Sequence, residues 1–209
     1  MRTRNVLAAA LSALCFSAAA KAEDMKADGL YVKADLGAAF VQDISQDLGV
    51  AGLGMTVGFD RGRMGAIGIG KYMSNSFRIE GEIGYMNADA GELTVSGAGG
   101  VRIPIDFSGE LSTLSFTLAG YADLSDGPFR PYFGGGLGIA RWETIVDTLA
   151  GVDLNEKEDG TDLTAFAEAG VAYHVSGNVA FTGSWRYQRV DTESHLDSHV
   201  VKAGIRYSF

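Results

Sequence analysis

Apolar and polar positions alternate with a period of two along most of the chain. In LYVKADLGAAF, Leu30, Val32, Ala34, Leu36, Ala38 and Phe40 share one face, while Tyr31, Lys33, Asp35 and Gly37 share the other. FRIEGEIGYMN repeats the pattern, setting Phe77, Ile79, Gly81, Ile83 and Tyr85 against Arg78, Glu80, Glu82 and Gly84. Wound as a helix, this order would scatter charge around the whole surface, so it predicts strands. GRMGAIGIGKYM, TLSFTLAGYADL, FRPYFGGGLGIARW, LTAFAEAGVAYHV, VAFTGSWRYQRV and the terminal VVKAGIRYSF behave alike, giving eight strands. The last places Val201, Ala203, Ile205, Tyr207 and Phe209 on one side and Lys202, Gly204, Arg206 and Ser208 on the other.

The connections alternate in length. Tight turns are expected near Asn75, Asp126 and Gly177, and long external loops over roughly 41–61, 87–110, 143–161 and 190–198. This alternation predicts an all-β fold, an eight-stranded antiparallel up-and-down transmembrane β-barrel. Closure removes sheet edges and pairs every backbone polar group, as lipid requires. Eight strands enclose little more than their own side chains.

A soluble, lipocalin-like barrel alternates too, and the charges decide which face is out. Lys33, Arg78, Arg186, Lys202 and Arg206 share a face with Asp35, Glu80, Glu82, Asp123 and Glu168, in near-even balance. Lining a narrow barrel, these groups would have to pair, because an unpaired buried charge is costly. Glu168 with Arg186, and Asp35 with Lys202 or Arg206, are the expected partners. The opposite face is aliphatic. Phe77, Phe129, Phe133, Tyr173, Phe181, Tyr207 and Phe209 lie toward its tight-turn end, and Phe40, Tyr85, Trp185 and Tyr187 toward the other. Two aromatic bands around an aliphatic belt suit a lipid-facing surface. Lys71 falls on that surface beside a tight turn, where it either snorkels or marks a bulge.

The beginning of the chain reads as a cleaved signal peptide over residues 1–22, leaving a barrel domain at 23–209. Arg2 and Arg4 form its basic start, VLAAALSALCFSAAA its apolar stretch and Ala20–Lys21–Ala22 its cleavage site. Cys15, the one cysteine, lies in that stretch without the flanking residues of a lipoprotein. Removing Arg2, Arg4 and Lys21 from the 17 basic residues leaves 14 against 26 acidic ones, about −12 in net charge. That balance argues against nucleic acid as a partner.

Candidate chemistry is sparse. SHLDSH offers Ser194, His195, Asp197, Ser198 and His199, but adjacency in sequence does not make a triad. DLNEKEDG (153–160) misses calcium-loop spacing, with Lys157 at a ligand position and Gly160 too late for the turn, so a solvated acidic loop is expected. His174 is expected to fill the interior, and Gly134–Gly136 to permit close packing there. No catalytic, cofactor or metal site is expected. Val101, Ile103, Ile105 and Phe107 alternate, which predicts strands running past the membrane as a ribbon.

The chain resembles the small outer-membrane β-barrel family of Gram-negative bacteria, the opacity-protein-like or porin-like surface antigens. GIGIGKYMSNSFRIEGEIGY, LAGYADLSDGPFRPYFGGGLGIAR, AFAEAGVAYHVSGNVAFTGSWRY and AGIRYSF carry the resemblance. It implies an eight-stranded barrel at the cell surface, in contact with outer-membrane lipids and lipopolysaccharide. It also implies that Tyr207 and Phe209 form the signal read by the barrel-assembly machinery, with periplasmic chaperones serving the chain in transit. The expectation is a monomeric, non-enzymatic surface barrel whose interior network comprises Lys33, Asp35, Arg78, Glu80, Glu82, Glu168, Arg186, Lys202 and Arg206. A small-solute channel and a loop-borne adhesin are the alternatives.

Overall fold

The structure, a computed structural model, describes residues 29–47, 54–97, 102–105, 107–149, 152–192 and 195–209. The expected signal peptide with Cys15 lies outside these residues, as do Val101 and Ser194. The strands are β1 (Leu30–Val41), β2 (Ile44–Asp47), β3 (Gly54–Phe59), β4 (Arg61–Tyr72), β5 (Phe77–Ser96), β6 (Arg102–Ile105), β7 (Phe107–Asp123), β8 (Phe129–Leu149), β9 (Val152–His174), β10 (Val179–Val190) and β11 (Leu196–Ser208). Eight of them, β1, β4, β5, β7, β8, β9, β10 and β11, pair antiparallel in chain order. The ring closes where β11 meets β1, from Tyr31↔Ser208 to Val41↔Ser198. Beside this seam Phe209 N–H donates to the Leu30 carbonyl at 2.9 Å.

The alternation read from sequence sets the two faces. Leu36, Ile67, Ile69, Leu118, Leu137, Leu163 and Val201 are each more than half exposed, and the aromatics of both bands point outward with them. Such a surface is unstable in water and suited to hydrocarbon. Lys71 projects outward between Leu30 and Ile79 in an unshifted ladder, so no bulge turns it inward.

The long connections differ from expectation. Regions 87–110 and 143–161 are mostly paired strand rather than loop. β5–β7 stay in register to Ala90↔Gly109, and β8–β9 remain paired to Leu149↔Val152 across one shift. β8 has 21 residues and β9 has 23, whereas a tilted crossing needs about 9–11. Their hairpin therefore rises well above the apolar belt, and the acidic 153–160 segment is part of β9. Cross-strand contacts support it there: Lys157 meets Glu143 at 2.8 Å, Arg141 meets Asp159 at 3.1 Å, and Trp142 donates to Asp162 at 2.7 Å. β6, with Ile103 and Ile105 of the expected ribbon, pairs with the extension of β5; β3 also pairs with β5 and β2 with β3, so part of the 41–61 segment expected as loop is strand as well. Register shifts at Gly58/Phe59, Ser108/Gly109 and Val146/Thr148 all lie toward this ribbon end, where bulges bend the strands.

Inside, large rings sit directly across from glycines. Gly70 faces Tyr31, Gly134 faces Tyr121, Gly136 faces Phe166 and Gly170 faces Tyr132, and a Cβ at each would run into the ring. Gly134 and Gly136 of the β8 run are thus explained by space, whereas Gly135 shares the outward face of Phe133 and Leu137 and does not pack inside as expected.

Candidate functional site

The interior is built in two layers. From the tight-turn end to mid-barrel it is charged. Five cations (Lys33, Arg78, Arg186, Lys202, Arg206) and five anions (Asp35, Glu80, Glu82, Asp123, Glu168) are all buried, so the formal charge of this layer is zero. β1, β5, β10 and β11 supply most of them at every second position, which brings residues distant in sequence to one axis.

Glu82 is the hub. Arg186 donates to it through Nη1 at 2.5 Å and Nη2 at 3.0 Å, and the ammonium groups of Lys33 and Lys202 lie at 2.9 and 3.5 Å. Lys33 also reaches Glu80 at 2.6 Å and Asp35 at 3.2 Å. Lys202 bridges Asp35 at 3.0 Å and Glu168 at 3.1 Å. Glu168 accepts from Arg186 at 2.7 Å and from the Tyr132 hydroxyl at 3.2 Å. Toward the turn end, Arg78 meets Glu80 at 3.2 Å and Asp123 at 3.4 Å, donates to the Tyr31 hydroxyl at 3.0 Å, and lies 3.9 Å over the Tyr121 ring. Arg206 donates to the Tyr72 hydroxyl at 2.9 Å instead of taking Asp35. Multiple charge-assisted contacts of this kind compensate for the loss of water.

The second layer went unread in the sequence. Above the charges, the inward positions turn largely apolar: Ala39, Val41, Met64, Ala66, Met86, Ala88, Leu111, Ala140, Val190, Leu196 and Val200 form one buried cluster, with Phe59 and Trp142 packed against it. Thr113, Thr164, Gln188 and Ser198 are buried at the same level, so the inner face stays partly polar there but carries no charge among these residues. The signal was present in the same parity that revealed Lys33 and Glu82. Ala39 and Val41 continue the inward row of β1, Met86 and Ala88 that of β5, and Val200 that of β11.

The histidine-bearing segment is not gathered into a catalytic arrangement among the described residues. His195 Nδ1 lies 3.2 Å from Asp191, in a backbone with φ of 50°. His199 meets Gln42 at 3.0 Å and stacks on Trp185 with ring centroids 5.6 Å apart. Ser198 points into the barrel toward the Gln188 carbonyl at 3.5 Å. Asp197 is taken by Arg189 in two hydrogen bonds of 2.6 and 2.7 Å, and this pairing holds its carboxyl below the usual aspartate range. His174 is half-buried near the turn end, and among the described residues its buried Nδ1 has no partner. Among the described residues, no group of three or more His, Cys, Asp or Glu is placed to hold a metal ion.

Residues 6–209 match the family described as the outer membrane protein beta-barrel domain. No curated protein matches the chain. Among solved structures, outer membrane protein OprG of Pseudomonas aeruginosa is similar at 17% identity and a TM-score of 0.57, covering 90% of this chain and 99% of that one. Neisserial surface protein A is similar at 20% identity and a TM-score of 0.56, over 86% of this chain and 97% of that one. Ail, the attachment invasion locus protein of Yersinia pestis, in complex with the heparin analogue sucrose octasulfate, is similar at 14% identity and a TM-score of 0.51, over 87% and 99% of the two chains. At these identities the likeness is one of fold.

Proposed function

We propose that this chain, which belongs to the outer membrane protein β-barrel family, is a closed structural barrel that holds a strand ribbon at the cell surface and carries no solute through its interior. The supporting observation is the stacking of a charge-neutral network beneath an apolar plug. A hydrated ion entering from the ribbon end would have to shed its water among Met64, Met86, Leu111, Leu196 and Val200. Entering from the other end, it would have to displace side chains already locked to one another. Purified protein in planar bilayers is expected to give no sustained conductance. A stable, ohmic conductance would overturn the proposal and favour a channel.

A second reading adds ligand binding through the protruding hairpin. There Glu143, Asp147, Glu156, Glu158 and Asp159 outnumber Arg141 and Lys157, and most of these groups are exposed. Ail was solved with a polyanion; this acidic tip instead suits a basic partner. Polylysine should bind the reconstituted barrel, and binding should vanish at high salt and when residues 145–157 are replaced by a short turn. Equal binding by the shortened protein would exclude the tip.

A further inference from the structure

Above the aliphatic belt, three outward cations are neutralised in place: Arg141 by Asp159, Lys157 by Glu143, and Arg189 by Asp197. The two on β4 are not. Arg61 and Arg63 both project outward and are exposed, and among the described residues neither forms an ion pair with a carboxylate. Asp89 faces outward on neighbouring β5 and pairs with neither. Arg61 instead lies over the Phe40 ring, 5.6 Å from its centroid.

Their height identifies what they meet. Arg63 and Arg61 stand eight and ten positions from Lys71 along an unshifted strand. At about 3.3 Å per residue and a tilt of about 40°, that puts them about 20 and 25 Å above Lys71, at the upper edge of an apolar band about 25 Å tall. Around them at this level stand Phe40, then His199 across β11, with Trp185 and Tyr187 against it. Directly below are the exposed side chains of Leu36, Ile67 and Ile83.

Two unpaired guanidinium groups over an aliphatic wall call for an anion carrying acyl chains. We propose that Arg61 and Arg63 form a docking site for the phosphates of lipid A, the anchor of lipopolysaccharide, with its acyl chains lying along Leu36, Ile67 and Ile83. Guanidinium forks bind phosphate bidentately, and positions two apart on one strand let both close on the same group. The inference rests on the barrel spanning the outer membrane with the Arg61 end outermost.

The test measures binding of purified lipid A to the folded protein in detergent micelles, with folding checked by heat-sensitive gel migration. Arg61→Gln/Arg63→Gln is expected to weaken binding about tenfold or more. The double lysine variant should retain part of it, and Arg141→Gln, at a neutralised position, should bind as wild type does. Dephosphorylated lipid A should bind wild type no better than it binds the double glutamine variant. Undiminished lipid A binding by that variant, or equal binding of the phosphate-free lipid, overturns the site. Protease accessibility of the ribbon on intact cells reports the orientation separately, so a misplaced barrel and a mistaken site give different results.

Discussion

Arg186 offers the sharpest test of the interior. It is fully buried, donates to Glu82 and Glu168 together, and has its guanidinium 3.8 Å over the Phe166 ring. Arg186→Met keeps much of the stem volume while deleting the charge. Glu82 would retain Lys33 and Lys202, and Glu168 would retain Lys202 and the hydroxyls of Tyr121 and Tyr132. Opposite unit charges about 4 Å apart are worth about 4 kcal/mol at an effective dielectric near 20. Removing one member of a buried pair costs about 3–5 kcal/mol. Because both lysines remain, the lower end applies, and the expected loss is about 3 kcal/mol. Adding Glu82→Gln restores charge balance, so the double variant should recover about 1–2 kcal/mol relative to Arg186→Met. Urea titration of protein folded into lipid vesicles, followed by gel migration and by the fluorescence of Trp142 and Trp185, gives these differences. A single variant within about 0.5 kcal/mol of wild type, or a double variant showing the plain sum of both single losses, would refute the coupled network.

Two further outcomes are expected. Phe209→Ala leaves the backbone bond to Leu30 in place, so the purified variant should melt close to wild type. In cells it should accumulate less folded barrel, as judged by surface proteolysis; normal accumulation would remove Phe209 from the assembly signal. Asp197 is held below the ordinary aspartate range by Arg189, so the stabilisation it contributes is present above about pH 4 and lost as pH falls through its lowered folded value. Asp197→Asn should flatten this acid limb of the unfolding curve, and carboxyl titration by NMR should place the Asp197 transition below that of a free aspartate.

The alternation in eight segments, plainest in β1, β5 and β11, was enough to reveal eight crossings, both faces and the identity of the buried charges. A period of two assigns a side chain to a face before any partner is known. Partners themselves were only half legible. Glu168–Arg186 are direct cross-strand neighbours on β9 and β10 and could be inferred. The meeting of Glu82 with Arg186 and Lys202, across 104 and 120 residues, depends on the stagger of the closed sheet. The apolar plug was missed although Val41, Met64 and Val200 share the parity of the charges, because one polarity was assigned to the whole inner face. The β8–β9 extension was read as loop because its acidic residues dilute the alternation that Thr144, Val146 and Thr148 would otherwise display.

The joining of β11 to β1 has a consequence for biogenesis. Lys202 and Arg206 are the cations of the last strand, and Lys202 finds Asp35 across 167 residues. A sheet lacking that strand would keep three of its five cations opposite all five anions, leaving a wet, electronegative trough unable to enter hydrocarbon. The clasp that zips the cylinder shut is therefore also the step that discharges it, so insertion and completion become a single event.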